Sequence, residues 1–325
     1  MMRNLKGKNI LVTGGAGFIG SHLVDRLMET QACNIVVMDN MFLGEKSNLA
    51  QALDRGIVFY AEDAEIASAL DYIIKDNHID VVFNCATKAL NYSFVNPSNA
   101  YMTNVNIMNN LLELQRKGEF ETLCHFSTSE VYGSAVYEPM DEAHPLHPTT
   151  AYAAGKAAAD MMIDSYVNMF GLDAFIVRPF NNYGPRQNYR GNLAGVIPAT
   201  VYRILNNISP EIHGTGHQKR DFIYVSDTVE AVVNLFEVME PGNSVNISAN
   251  GMISIKEVID KIVEIMAYKG EIVNKGRRNA DVNSHNASNE KMKRLISFEP
   301  VDFDEGLRRT VEWYVRELTN NRGKI

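Results

Sequence analysis

The sequence predicts an α/β fold, with a doubly wound parallel sheet and a smaller, partly interleaved C-terminal region. Three observations support this prediction. Apolar runs of strand length alternate with helix-length segments through residues 1–178, which is typical of βαβ units. A glycine-rich turn joins the first apolar run to the first helical segment. After residue 178 the alternation weakens, and the chain becomes rich in Asn, Gly, Pro and Tyr.

The predicted elements of the first part alternate in order along the chain. Strands are expected at residues 9–13, 34–39, 57–60, 80–85, 122–127 and 174–178. Helices are expected at residues 18–30, 64–76, 98–117 and 150–170, and the first carries Ile19, Leu23 and Leu27 as an apolar stripe. We therefore predict a first domain over residues 1–178.

The second part, residues 179–325, is predicted as a separate smaller region. A helix at 226–239, a strand at 244–247 and helices at 254–267 and 304–318 are expected, with a polar loop at 269–290. Some of these segments are expected to return to the first domain.

Composition excludes several classes of protein. The chain has 325 residues, 46% of them hydrophobic, and a formal net charge of −8, which is ordinary for a folded protein and argues against a broad nucleic-acid surface. No stretch is long and apolar enough for a membrane helix or a secretory signal, so a cytoplasmic protein is expected. The odd set of Cys33, Cys85 and Cys124 predicts buried thiols rather than a disulfide framework.

The first turn has the pattern of a dinucleotide site. It reads Gly14-Gly15-Ala16-Gly17-Phe18-Ile19-Gly20, between a strand and a helix. Gly14 permits a tight turn, Gly17 lets the backbone approach a pyrophosphate, and Gly20 lets the helix pack closely on the sheet. The helix N-terminus offers its N–H groups to the anion. We expect Phe18 and Ile19 to belong to the same site.

An acidic residue at the end of the second strand indicates which dinucleotide binds. Asp39 can accept hydrogen bonds from both ribose hydroxyls of an adenosine, and it would repel the 2′-phosphate of NADP. NAD is therefore the predicted cofactor, and Asn40 is expected beside it. Asp63 follows the third strand, next to Ala64, and has two interpretations: an acceptor for the adenine amine, or the N-cap of the next helix.

Two further groups of residues predict acid–base chemistry. Tyr152 and Lys156 lie four residues apart, on one face of a predicted helix. A lysine cation favours the phenolate, so the tyrosine pKa, near ~10 when unperturbed, is expected to fall toward that of a general base. Thr128, Ser129 and Glu130 follow the fifth strand, at the sheet edge where α/β proteins bind ligands. Glu130 is either a second acid–base group or a solvated turn residue.

The predicted helix 150–170 also indicates a partner. It carries small and apolar residues on more than one face, including Ala153, Ala157, Ala158, Met161 and Met162. A helix that is apolar beyond one stripe needs a second surface to cover it. A homodimer is the prediction. The eight histidines form no convincing metal set, so no metal is expected.

Several motifs in order resemble the extended short-chain dehydrogenase/reductase family, and within it the nucleotide-sugar epimerases and dehydratases. They span nearly the whole chain: Gly14 to Gly20, Tyr152-x-x-x-Lys156, Arg178-Pro-Phe-Asn-Asn-Tyr-Gly-Pro-Arg186, Gln218-Lys-Arg-Asp-Phe-Ile-Tyr-Val225 and Glu305-Gly-Leu307. The resemblance implies a Rossmann domain that binds NAD, a C-terminal region that binds a nucleoside-diphosphate sugar, and a dimer through residues 98–117 and 150–170.

The resemblance also implies roles for individual residues. Thr128 helps Tyr152 bind the sugar 4-OH, and Lys156 also holds the nicotinamide ribose. Lys88 lies near the cofactor ribose, although the preceding residues Asn84-Cys-Ala-Thr depart from the usual His-Leu-Ala-Ala. The residues expected to contact the substrate diphosphate or nucleotide are Asn181, Arg220 and Arg278.

The family shares a first step, oxidation at C4 to a 4-keto sugar, and its members differ in the fate of that keto sugar. A carboxylate at the position of Glu130 resembles the hexose 4,6-dehydratases, although Ser129 replaces the aspartic acid of the dTDP-glucose type. Thr128-Ser129-Glu130 resembles the GDP-mannose and GDP-N-acetylglucosamine types, and also the UDP-glucuronate decarboxylases. The 4,6-dehydratase is therefore the preferred prediction. A 4-epimerase resembling UDP-glucose 4-epimerase, an enzyme resembling UDP-glucuronate decarboxylase, and a non-catalytic NAD-binding sensor remain as alternatives. The nucleotide and the sugar stay open.

Overall fold

The computed structural model describes residues 3–276 and 284–321. Its strands are β1 Asn9–Thr13, β2 Asn34–Met38, β3 Val58–Tyr60, β4 Val81–Asn84, β5 Thr122–Phe126, β6 Asp173–Pro179, β7 Asn181–Tyr183, β8 Glu211–His213, β9 Lys219–Tyr224, β10 Ser244–Ile247, β11 Met252–Ser254, β12 Val273–Lys275 and β13 Ser284–His285. Its α-helices are α1 Phe18–Leu27, α2 Ala50–Asp54, α3 Ala67–Asp76, α4 Pro97–Arg116, α5 Ala151–Phe170, α6 Val196–Leu205, α7 Val225–Val238, α8 Ile255–Ile265, α9 Glu290–Leu295 and α10 Phe303–Asn321. Within these ranges, none of the helices has the length and apolar character needed to span a bilayer.

A seven-stranded parallel sheet forms the centre of the first region. Its strand order is β10-β6-β5-β4-β1-β2-β3. The chain builds outward from β1 to β3, then returns to β4 on the other side of β1, so the carboxyl ends of β1 and β4 flank the crevice where such sheets bind ligands. There, the Thr13 hydroxyl donates a hydrogen bond of 2.7 Å to Asn84 Oδ1. The predicted doubly wound α/β fold is confirmed.

Helices cover both faces of this sheet because its strands are apolar on both sides. In β1, Ile10 and Val12 belong to the core shared with α1 and α7. The intervening Leu11 belongs to the opposite core, which includes residues of α3, α4 and α5. Side chains alternate along a strand, so one short apolar run serves two helical layers.

The second region has its own core. The apolar sides of α6, α8 and α10 meet there, together with aromatic residues of β7 and β9 such as Tyr183 and Phe222. By contrast, α7 packs in the first core, and β10 pairs with β6 as the seventh strand of the main sheet. The predicted interleaving is therefore confirmed, while the boundary at residue 178 stays a prediction.

The structure differs from the sequence-based expectations where short strands pair over long distances. The weakly patterned residues 179–225 contain β7, α6, β8 and β9, and the predicted loop 269–290 contains β12 and β13. Strands of two or three residues carry no readable periodicity; they form because β12 pairs with β8 and β13 pairs with β9. Cys33 is exposed, so the expectation of three buried thiols is wrong for this residue.

Candidate active site

The turn between β1 and α1 forms a cradle in which backbone groups approach closely. Gly14 has a φ of +67°, a conformation that favours glycine. A Cβ on Gly14 would lie 2.8 Å from the backbone nitrogen of Ala86, and a Cβ on Gly20 would collide with the carbonyl oxygen of Gly14. Gly17 is the N-cap of α1 and provides no side-chain cap. The first N–H groups of α1 are thus not capped by a side chain, which suits an anion.

Asp39 ties the end of β2 to this turn. Its Oδ2 accepts a hydrogen bond of 3.0 Å from the Ala16 N–H, and its Oδ1 accepts one of 2.8 Å from the Met41 N–H. Burial raises the pKa of the carboxyl group, and these backbone donors oppose that rise. The acidic group therefore lies beside the glycine turn, as the sequence predicts.

Asp63 holds a turn rather than capping the helix directly. Its Oδ1 accepts a hydrogen bond of 2.9 Å from the Glu65 N–H, and its Oδ2 accepts one of 2.8 Å from the Asn40 side chain. The N-cap of α3 is Ile66, and α3 starts at Ala67 instead of residue 64. The N-cap interpretation of Asp63 is therefore wrong for α3, because the side chain stabilises the turn that precedes the helix.

A cavity of about 700 Å³ runs from the glycine turn across the carboxyl ends of the central strands to the second region. Every predicted site residue that the structure describes lines this cavity: Gly14, Gly17, Phe18, Ile19, Gly20, Asp39, Asn40, Asp63, Ala64, Lys88, Thr128, Ser129, Glu130, Tyr152, Lys156, Asn181 and Arg220. Arg278 lies outside the described residues. The topology thus brings residues from distant parts of the chain to one site.

Lys156 is buried in the floor of the cavity. It lies on α5, one turn after Tyr152, and its Nζ donates a hydrogen bond of 2.6 Å to the backbone carbonyl oxygen of Phe126, the last residue of β5. Burial lowers the pKa of Lys156 to about 8, and the nearby Asp160 carboxylate opposes this fall. The ammonium form is therefore costly to keep in this position.

Tyr152 differs from its predicted behaviour. Desolvation raises the pKa of its phenol, and a hydrogen bond with the Thr128 hydroxyl opposes the rise. The expected lowering by Lys156 is not what this structure gives, because removal of the phenol from water outweighs the other effects. Thr128, rather than Lys156, is the group that favours the phenolate here.

Glu130 lies at the same edge, on the short turn that follows β5. Its side chain is 18% exposed, and its Oε1 lies 3.6 Å from Nδ1 of His285. Its backbone N–H donates a hydrogen bond of 3.3 Å to the Thr128 hydroxyl. Ser129 is buried beside it. Glu130 therefore lies on a turn and also lines the cavity, and its acid–base role stays a prediction.

Asp160 and Arg178 form a buried ion pair. Asp160 Oδ2 accepts hydrogen bonds of 3.0 Å from both Arg178 Nε and the Ser127 hydroxyl, and Arg178 Nη1 donates one of 3.0 Å to the Tyr132 hydroxyl. The sequence patterns did not indicate Asp160. Its spacing of one helical turn from Lys156 was the available signal.

The opposite wall of the cavity comes from the second region. Asn181 on β7 donates a hydrogen bond of 3.3 Å to the carbonyl oxygen of Asp221, and Arg220 on β9 donates one of 2.9 Å to the Lys219 carbonyl oxygen. Arg186 and Arg203 also line this wall. The sequence prediction missed both arginines as site residues; Arg186 lay within a quoted motif, whereas α6, which carries Arg203, was not predicted.

Lys88 is held in the cavity wall by an aromatic neighbour. Its Nζ lies 4.0 Å from the centroid of the Phe42 ring, a favourable cation–π arrangement. Despite the altered sequence before it, Lys88 lines the same cavity as the glycine turn, and its position near the cofactor ribose stays a prediction. In residues 3–276 and 284–321, no three His, Cys, Asp or Glu side chains come together as a metal site.

Known proteins with similar sequences and structures act on nucleotide sugars. The chain is 34% identical to the putative UDP-glucose 4-epimerase of Methanocaldococcus jannaschii, over 96% of this chain and 99% of that protein. A crystal structure of UDP-glucose 4-epimerase from Thermotoga maritima with UDP-glucose has a TM-score of 0.90 at 32% identity, covering 95% of this chain and 99% of the other. The dTDP-glucose 4,6-dehydratase of Bacillus anthracis in complex with NAD has a TM-score of 0.86 at 30% identity, covering 95% and 97%.

The family assignment follows from both the sequence and the cavity. The family described as NAD dependent epimerase/dehydratase matches residues 10–248, from β1 to just beyond β10. This stretch contains the glycine turn, Asp39 and the group formed by Tyr152 and Lys156. The chain therefore belongs to the NAD dependent epimerase/dehydratase family, the nucleotide-sugar-modifying enzymes that use NAD.

Proposed function

We propose that this chain is a nucleoside-diphosphate-hexose 4,6-dehydratase. The observation that carries the proposal is the position of Glu130, a carboxylate in the same cavity wall as Tyr152 and Lys156. An enzyme that only oxidises and reduces C4 needs one proton-transfer group, at the 4-OH. Removal of a proton from C5 as well needs a second such group, and Glu130 is available for it.

The residues around the glycine turn fit NAD. Gly14 and Gly20 leave no room for side chains, and the N-terminus of α1 is not capped by a side chain, as binding of the pyrophosphate requires. In this proposal Asp39 binds the adenosine ribose, while Phe18, Ile19, Asn40, Asp63, Ala64 and Lys88 complete the cofactor wall. When bound there, NAD would supply the hydride acceptor for C4 and, once reduced, the hydride that is added at C6.

Tyr152 and its neighbours provide the first proton transfer. The Tyr152 phenolate takes the proton of the sugar 4-OH as the 4-keto group forms. The Thr128 hydroxyl favours this phenolate through its hydrogen bond with Tyr152. Lys156, one turn further along α5 in the same cavity, is proposed to hold the nicotinamide ribose.

Glu130 and Ser129 provide the elimination. Once C4 carries a carbonyl group, the C5 proton is acidic, and the Glu130 carboxylate removes it. The C6–O bond then breaks, and the leaving hydroxyl group takes a proton and departs as water. Ser129 relays a proton at most, because a hydroxyl is a much weaker acid than a carboxylic acid.

The second region is proposed to hold the nucleotide. Asn181 and Arg220 line the wall opposite the glycine turn, and an arginine fork suits the oxygens of a diphosphate. Arg278, which the sequence resemblance places in this role, lies outside the described residues. We propose that Asn181 and Arg220 bind the diphosphate of the substrate.

A 4-epimerase is the second candidate. It is favoured by the similarity of the chain to two UDP-glucose 4-epimerases. In that reaction the 4-keto sugar rotates within the cavity, and its C4 is then reduced on the opposite face. The C5 proton is never removed. Glu130 would then have no step of its own.

The deciding experiment is the mass of the product. The purified protein is incubated with NAD and with UDP-, GDP-, CDP- and dTDP-hexoses, and with UDP-glucuronate, in turn. Loss of one water molecule from any of them supports the dehydratase. A product of unchanged mass and inverted C4 supports the epimerase, and loss of carbon dioxide from a uronate supports neither.

A further inference from the structure

A buried histidine lies directly behind Glu130. His285 is on β13, whose short parallel pairing with β9 places it in register with Arg220. The imidazole is fully buried, 6.5 Å from the Phe180 ring. It does not line the cavity, so His285 reaches the substrate only through Glu130.

The two ring nitrogens of His285 have different surroundings. Nε2 lies 3.0 Å from the carbonyl oxygen of Gly133. A carbonyl oxygen only accepts, so Nε2 carries the hydrogen. Nδ1 is buried and has no hydrogen-bond partner among the described residues. The Glu130 carboxylate faces it, with Oε1 at 3.6 Å.

This arrangement places two acceptors face to face. In the neutral imidazole with the hydrogen on Nε2, Nδ1 offers only a lone pair, and an ionised carboxylate offers only lone pairs as well. A proton bound between Nδ1 and Oε1 converts this unfavourable contact between two acceptors into a hydrogen bond. The separation is slightly long for such a bond, as is common for catalytic groups before substrate binds.

We propose that Glu130 and His285 bind one proton between them, and that this shared site makes Glu130 a strong enough base to remove the C5 proton. The proposal rests on the proposed dehydratase function. A carboxylate alone binds a proton weakly near neutral pH, whereas a second acceptor behind it raises the proton affinity toward the range that a general base needs. His285 is a positioning residue, since it acts on Glu130 and not on the sugar.

The step balances within the site. The C5–H bond breaks, and its electron pair stays on the sugar as the enolate of the 4-keto group. The proton bonds to Glu130 and is shared with Nδ1 of His285. When the C6–O bond breaks, the same proton leaves with the hydroxyl group as water, and a C5=C6 double bond remains. The pair then takes a proton from solvent and gives it to C5 as C6 is reduced, and so returns to its starting state.

The charges around His285 favour one shared proton over two. Burial and Arg220 lower the pKa of His285, while Glu130, Glu138 and the Gly133 carbonyl oxygen oppose this fall. An imidazolium beside a protonated Glu130 would lack the main opposing charge in a buried position. During the elimination, the pair of Glu130 and His285 therefore alternates between a form without a shared proton and a form with one.

The kinetic test compares two buried histidines. His285→Gln keeps a donor for the Gly133 carbonyl oxygen and removes Nδ1. The control is His144→Gln: His144 is also buried, but its Nε2 accepts from the Val136 N–H and its Nδ1 faces the Pro145 carbonyl oxygen, both at 2.9 Å. We expect His285→Gln to lower kcat for water loss by about tenfold, less than removal of the base itself, with KM unchanged.

The dependence of kcat on pH distinguishes a shared proton from a structural defect, because a structural defect would not shift it. Loss of His285 removes one of the two acceptors of the shared proton, so the acid limb of kcat against pH should move to lower pH. His144→Gln leaves that limb in place. If His285→Gln has wild-type kcat and an unmoved acid limb while Glu130→Gln blocks water loss, the shared proton site is overturned and the dehydratase assignment stands.

A second measurement does not depend on the reaction. In protein labelled with 15N-histidine, the shared site predicts a neutral His285 with hydrogen on Nε2 and a bare Nδ1, whose chemical shift changes in Glu130→Gln. This expectation applies at a pH above the acid limb, where no proton is shared. At that pH, hydrogen on Nδ1, or a shift that Glu130→Gln leaves unchanged, overturns the proposal even if water loss is observed. If Glu130→Gln retains full water loss, the proposed function of Glu130 fails, and this spectrum still decides whether the pair exists.

Discussion

The Lys156 ammonium donates a hydrogen bond of 2.6 Å to the backbone carbonyl oxygen of Phe126. This bond joins the second turn of α5 to the carboxyl end of β5, and so brings Tyr152 to the residues that follow the strand. The same bond holds a cation in a buried position, where desolvation lowers its pKa to about 8. The position that we propose for catalysis is therefore unfavourable for the stability of the folded protein.

Replacement of Lys156 is expected to remove activity and to increase the stability of the fold. The folded pKa of Lys156 lies near 8 and the ordinary value is 10.5, so the unfolded chain binds more protons between these values, and stability rises with pH across that interval. Below pH 8 the full penalty of the buried ammonium is present. We expect Lys156→Met to be inactive and more stable than the wild type at pH 7, by up to about 3 kcal/mol.

Urea unfolding at pH 7 and at pH 9.5 measures this effect. The advantage of Lys156→Met over the wild type should shrink at the higher pH. Lys269→Met, at an exposed lysine of the second region, is the control and should show no such change. A stability difference that is the same at both pH values would contradict the assigned cost of the ammonium.

Glu130→Gln is expected to lose the elimination and keep the first oxidation. Tyr152 and Lys156 remain in this variant, so C4 oxidation persists, seen as absorbance of the reduced nicotinamide. Water loss should fall by about 10²–10⁴-fold, the usual effect of a positioned proton-transfer group. Solvent deuterium incorporation at C5 should fall with it. Ser129→Ala is the comparison and should cost less; a wild-type rate for Glu130→Gln would favour the 4-epimerase.

Asp39 is expected to select NAD over NADP. Its carboxylate lies beside the glycine turn, and residues 40–45 contain no Arg or Lys to receive a 2′-phosphate. Calorimetric titration should show tighter binding of NAD. In Asp39→Asn the discrimination should narrow, whereas Asp63→Asn, in the same cavity, should leave it intact. Equal affinities of the wild type for both dinucleotides would refute this prediction.

We propose that the chain forms a homodimer through α4 and α5. The buried Ala153 and Ala157 face the interior of the molecule, but Met161 on α5 is 66% exposed, and Tyr101 and Met102 on α4 are exposed as well. Met161→Asp should convert the dimer to a monomer, because a charge on the shared face would be buried without a partner.

Light scattering at micromolar concentration measures the mass of each form. Val136→Asp is a matched control, since Val136 is also 66% exposed but lies on neither helix. It should remain dimeric. A monomeric wild type, or a dimeric Met161→Asp, would rule out this interface.

Local pattern was sufficient to predict the parts of the fold that form within one stretch of chain. The glycine turn from Gly14 to Gly20 follows its strand directly, and the spacing of Tyr152 and Lys156 needs only one helix, which Thr150 caps. The strands within residues 179–225 were harder to predict, because they are short and form by pairing with strands elsewhere in the chain.

The sequence by itself determined the doubly wound fold, the cofactor and the family, and it predicted which residues would carry the acid–base chemistry, because each depends on residue types at short, regular spacings. Only the tertiary structure decided the electrostatic environment of those residues. Lys156 has a lowered pKa and Tyr152 a raised one because desolvation depends on what the rest of the chain packs around them. His285 faces Glu130 because a two-residue strand pairs with β9, a contact between distant segments that no spacing along the chain encodes.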